Sequence, residues 1–193
     1  MRPPGSERAR SSSGRRVAAF GLLLAAALVL RAVEGLIPVP FPFVRLGLAN
    51  IATVLALFTL GVTDAVLLTA LRVVAASVIA GTFLGPGFAM SLTGGLAAAA
   101  VMAFAYRTAC PPLGVVGLSL LGAAAHNLAQ LVTVGVLFTG TSAALRLAPA
   151  ALLLSAFAGL ITGLVAHYVL LRLPGGIGGH ADEAWSRASQ LRP

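Results

Sequence analysis

Six long apolar runs, each closed by proline, glycine or arginine, leave this sequence little room to fold in water. They cover 17–37, 46–60, 64–80, 87–106, 113–138 and 148–171. A run of roughly 18 or more apolar residues is long enough to cross a hydrocarbon core as a helix. The chain is 59% hydrophobic and only 9% charged, whereas soluble domains carry about a quarter charged residues, so lipid is the solvent these runs fit. The sequence therefore predicts an all-α, polytopic bundle of six transmembrane helices. The second run is the short one: at 1.5 Å per residue it rises about 22 Å against a core near 30 Å, which calls for tilt, local thinning or a re-entrant path. Flanking composition divides the chain into a polar, disordered cytoplasmic tail over 1–16, a membrane domain over 17–173, and a cytoplasmic tail over 174–193. The run from Val17 outlasts the apolar core of a signal peptide, so it reads as a retained span.

Charge sets the orientation. All 13 basic residues are arginine, giving a net charge of +8, and they gather at the ends of apolar runs rather than on a basic stripe. That is a positive-inside pattern, which points to an anionic leaflet and not to a nucleic acid. With the amino terminus inside, cytoplasmic segments hold nine arginines, external loops hold Arg45 and Arg146, and Arg31 and Arg72 lie within spans. This distribution agrees with an even number of crossings and both termini in the cytoplasm, as a multi-pass protein of the cell membrane. The single cysteine, Cys110, excludes an internal disulfide and any multi-cysteine metal knuckle.

Function in such a chain is marked by polar groups that lipid should have excluded, because each is costly unless paired, hydrated or turned toward protein. Span one carries Arg31 and Glu34, three apart on one face. Span two carries Asn50, span three Arg72 near its middle, and span four Ser91 followed by Thr93, Gly94 and Gly95. Span five carries Ser119, Gly122, His126, Gln130 and Thr133 at steps of three or four, with Asn127 beside them. By the orientation above, Arg31, Glu34, Asn50, Ser91 and Gln130 fall in the outer half, with Arg72 and His126 near the midplane. Such a cluster, open outward and closed by apolar cytoplasmic ends, is the expected shape of a solute pocket. The loop Pro38 to Arg45, alternating Pro and Phe, is stiff enough to serve as its lid. The competing structural reading makes Arg31, Glu34 and Arg72 a register-fixing ion cluster and Asn127 and Gln130 interhelical glue.

Catalytic signatures are absent: the sequence contains no phosphate loop, no C-x-x-C and no H-E-x-x-H. Of the five acidic residues only Asp182 and Glu183 adjoin, so the clustered carboxylates that hold magnesium on a diphosphate are missing, and the chain reads as a non-enzyme with no cofactor and no metal site. The segments Glu34 to Pro38, "RLGLANI" at 45–51, Arg72, "SLTGGL" at 91–96 and "GLSLLGAAAHNLAQL" at 117–131 together resemble the bacterial Gx transporter family, also labelled heptaprenyl diphosphate synthase component I. That family is similar to the S components of energy-coupling factor transporters, six-helix proteins that capture a vitamin or related solute and dock on a shared transmembrane and ATPase module. The resemblance implies Glu34, Asn50, Arg72, His126, Asn127 and Gln130 as motif positions. Two functions follow as expectations. One is a solute-binding component energised by a separate coupling protein with ATPases. The other is a membrane subunit of isoprenoid or quinone synthesis in which Arg31 and Arg72 clamp a diphosphate. For a coupling partner, the small residues Ala18, Gly21 and Ala25 form one face in the cytoplasmic half of span one; the same face is equally suited to internal packing.

Overall fold

A computed structural model of the chain describes residues 4–36, 47–108 and 113–173. The loop expected as a lid and the tail from Pro174 lie outside the described residues. Among the described residues seven α-helices follow one another: α1 (Pro4–Glu34), α2 (Asn50–Thr59), α3 (Val62–Ile79), α4 (Pro86–Thr108), α5 (Gly114–Val134), α6 (Thr141–Leu145) and α7 (Ala148–Arg172). A π-helical extension, Gly135–Thr139, prolongs α5. The described residues contain no strand. The first helix starts at Pro4, well ahead of the expected boundary at 17, so its backbone is helical through residues read from composition as a tail. Proline suits a first helical position because its missing N–H is one of the orphan donors there.

Among the described residues, five helical segments are long and apolar enough to cross a membrane: Gly14–Glu34, Val62–Ile79, Pro86–Thr108, Gly114–Thr139 and Ala148–Arg172. The second of the six expected spans, already short in the sequence, is shorter still in the structure: α2 has ten residues and spans about 15 Å, half a hydrocarbon core. Its short length is matched by its position. Every residue from Asn50 to Phe58 is buried, and the main hydrophobic core forms around it, drawing Leu68 from α3, Met102 from α4, Leu118 from α5 and Leu170 from α7. Non-helical backbone at bilayer depth is tolerated where protein, rather than lipid, surrounds it. Gly61 makes the reversal into α3 with φ +102°, a conformation that disfavours any side chain. The Thr53 and Thr69 hydroxyls, 3.0 Å apart, then join the two antiparallel helices.

The long helices are built the other way round, with large apolar side chains outward. Leu22 is 72% exposed, Leu153 76% and Phe104 71%, as expected of surfaces that meet acyl chains. Small residues face inward. At Gly159 a Cβ would sit 2.9 Å from the Leu120 α-carbon, and at Gly163 2.9 Å from that of Val116, so α7 lies backbone to backbone on α5. This is the close approach that a small-xxx-small pair permits. Two polar bonds pin the same interface: Ser119 and Thr162 hydroxyls at 2.7 Å, and the Asn127 amide donating to Ser155 Oγ at 2.6 Å.

Helix α1 is the peripheral member, packed against α2 and α3. Near the start of its apolar segment, Gly14–Glu34, it is tied to the start of α3 by an ion pair between Arg16 and Asp64 at 2.7 Å. Its upper end meets the entry to α2, where the Gly47 N–H donates to the Glu34 carboxylate. The chain from Gly47 to Asp64 therefore runs between the levels marked by Glu34 and Arg16, at the two ends of the apolar segment of α1.

Candidate functional site

At the Glu34 end of the bundle, α1, α3, α4 and α5 part around a cavity of about 370 Å³. Arg31 and Glu34 enter it from the last turn of α1, Arg72 from the middle of α3, Ser91 from the first half of α4 and His126 from the middle of α5. Gly47 and Ala49 supply the wall where the chain turns into α2, and Leu28, Val73 and Ala76 make its apolar surface. The rim is exposed at Gly35, Ala80 and Thr82, whereas Arg72 and Glu34 are 6% and 8% exposed.

Helix geometry explains why these side chains meet. Arg31 and Glu34 share a face of α1 by their three-residue spacing. Arg72 lies seven residues before Ile79, about 10 Å down the helix from the rim, so its guanidinium reaches a depth that apolar side chains alone should occupy. The adjacent glycines of α4 clear the space on either side. A Cβ at Gly94 would be 2.9 Å from Gln130 Cγ and 3.1 Å from the His126 ring; one at Gly95 would be 3.1 Å from Thr69 Cγ2 and 3.8 Å from an Arg72 terminal nitrogen. The "SLTGGL" segment thus lets α3 and α5 bring Arg72 and His126 up to the same helix.

Charge in the cavity is unbalanced. The Arg16–Asp64 ion pair stands at the opposite end. Arg31, Glu34 and Arg72 share the cavity without closing into a direct pair, and the Glu34 carboxylate already accepts the Gly47 N–H. Arg72 Nε is buried with no hydrogen-bond partner. No group of three or more His, Cys, Asp or Glu suited to a metal ion occurs among the described residues.

Five of the eight residues singled out from sequence therefore line one cavity, and three stand elsewhere. Asn127 faces α7 and bonds Ser155, leaving its Oδ1 buried without a partner. Asn50 is buried at the start of α2 with its amide 3.9 Å from Met102 Sδ. Gln130 is fully buried against Gly94, and neither side-chain polar atom has a partner. The polar stripe of α5 divides because that helix lies between α4 and α7. Ser119 turns to Thr162, Gly122 to Met102, and Thr133 to Thr93 at 2.7 Å. Sequence reading did not find Ser77, Thr82 or Ala76 in the wall, nor the Gly159 and Gly163 pair. The glycine pair was signalled by its four-residue spacing and Ser77 by its hydroxyl inside an apolar run, whereas nothing in the sequence marks Ala76.

A helical bundle with apolar flanks and a polar cavity at one end defines a multi-pass membrane protein with an internal space of small-molecule size. The chain belongs to the heptaprenyl diphosphate synthase component I family, whose model matches residues 23–169, well over half its length. No curated protein and no solved structure matches it.

Proposed function

We propose that the chain is the ligand-binding membrane component of a larger assembly, and that it captures a small vitamin- or precursor-like solute for uptake with energy supplied by a separate coupling module. The observation that carries this reading is the convergence of Arg31, Glu34, Arg72, Ser91 and His126, from four helices, on one cavity. The cavity opens at the end away from Arg16, Arg107 and Arg172, the end that the arginine distribution assigns to the outside. The proposed topology has six crossings with both termini cytoplasmic, the short α2 and its flanks making the second. Contacts at Gly47–Glu34 and Asp64–Arg16, at opposite ends of the apolar segment of α1, support that crossing. The proposed docking face is Ala18, Gly21 and Ala25, all exposed, with no atom within 4 Å of a Cβ built at Gly21.

A second reading, as a non-catalytic membrane subunit in heptaprenyl diphosphate synthesis, is favoured directly by the family's name, which implies a further component. The cavity's size favours the first reading: at about 370 Å³ it lies near the lower end of small-molecule pockets, roughly 300–1,000 Å³, whereas a heptaprenyl chain carries seven isoprene units. Membranes from cells lacking the chain separate the two. Unchanged polyprenyl diphosphate elongation is expected from a solute binder; elongation that fails, and returns when the purified chain is added back, establishes the subunit and rejects the transporter.

A further inference from the structure

Resting on the reading of the cavity as a ligand site, we infer that its ligand is a compact anion, a carboxylate or phosphate monoester small enough for a cavity of about 370 Å³, seated between Arg31 and Arg72. A guanidinium at the depth of Arg72 is costly unless it meets a counter-charge, and its burial to 6% exposure removes the water that would otherwise serve. Arg31 brings a second positive charge to the same space. Glu34 is the one carboxylate among the described lining residues, and it is already engaged by the Gly47 N–H. Two arginines less one glutamate leave the lining at +1 with His126 neutral. An anion that bridges the two guanidiniums supplies the missing charge and accepts from the unpartnered Arg72 Nε.

The rest of the lining fixes the ligand's other end. Leu28, Val73 and Ala76 offer an apolar surface beside the arginines, which suits a short hydrocarbon or aromatic body. Ser91, whose hydroxyl donates to the Gly87 carbonyl at 2.7 Å, and His126 add polar groups from α4 and α5 to the lining.

The test uses the full chain in detergent. Native mass spectrometry identifies what the purified protein retains, and calorimetric titration compares benzoate and phenyl phosphate with the neutral benzamide. The expected result is a retained small anion, or binding of benzoate or phenyl phosphate without benzamide. That binding should weaken roughly ten- to a hundredfold in Arg72→Gln, as for loss of a hydrogen bond to a charged group. Because Arg72→Gln removes a buried group, Arg31→Gln serves as the second variant, its site being only partly buried. Preference for phenyl phosphate over benzoate selects the phosphate source, and the reverse selects the carboxylate. A retained neutral or cationic molecule, equal binding of benzamide, or unchanged anion binding in both folded variants overturns the anion while leaving the cavity as a ligand site. A protein that retains nothing and binds none of the three overturns the ligand site itself, and the anion with it.

Discussion

Gly94 of α4 and Gln130 of α5 approach so closely that a methyl group on the glycine would come within 2.9 Å of Gln130 Cγ. The same missing side chain keeps 3.1 Å of clearance to the His126 ring. The cavity wall therefore depends on an absence of volume one turn past Ser91. Gly94→Leu is expected to force the two helices apart, costing about 1–3 kcal/mol as overpacking does. Lower thermal stability in detergent, together with weaker ligand retention, is the expected outcome; a variant as stable as the parent removes this contact as a constraint.

Asn127 is adjacent to His126 in sequence but bonds across to Ser155 on α7. Asn127→Ala should lower stability by roughly 0.6–1.7 kcal/mol, the range of interhelical hydrogen bonds in membranes, and leave ligand binding intact. His126→Ala should do the reverse. Calorimetric titration and thermal unfolding of both variants separate the two roles, and equal loss of binding in both places Asn127 in the site after all.

How far the site was legible in the sequence is clear from this pair. Polar residues in apolar runs can be listed by inspection, and their spacing says which share a helix face. It does not say which neighbour that face meets. His126 and Asn127 differ by about 100° around α5, enough to send one to the cavity and the other to α7. The fold has the same limit. Apolar runs identify membrane helices, but uniform hydrophobicity does not distinguish a helix surrounded by protein from one surrounded by lipid. Leu57 of α2 is 2% exposed and Phe157 of α7 is 61%, and nothing local in the two runs separates them.

Close backbone packing between α5 and α7 makes its own prediction. Gly163→Leu would press a side chain into Val116 Cα, which cannot rotate away. A loss of folded protein is expected, measured as aggregation on size-exclusion chromatography. Gly21→Leu, on the open face of α1, should leave the isolated chain monodisperse and binding its ligand while abolishing assembly with a partner component. Loss of folding in Gly21→Leu would assign that face to internal packing.

The Arg16–Asp64 pair is short but open to water, with Arg16 60% exposed, so screening and side-chain entropy offset most of its attraction. Asp64→Asn should change stability by about 0–1 kcal/mol, whereas a larger loss in thermal unfolding would make the pair a principal clasp between α1 and α3.

Topology is open to chemical labelling. With Cys110 replaced by serine, single cysteines at Gly14 and Thr82, which flank α1, α2 and α3, should react from opposite sides of the membrane with an impermeant maleimide. Labelling of both from one side contradicts the six crossings.

The most direct measurement fills the cavity. Ala76 lines it on the same helix as Arg72, and Ala76→Trp places a large ring where the ligand is proposed to sit. With thermal unfolding used to confirm that the variant is folded, native mass spectrometry should find the retained small molecule gone from Ala76→Trp and present in Asn127→Ala. Retention by a folded Ala76→Trp protein at the parent level would contradict a ligand site between α1, α3, α4 and α5.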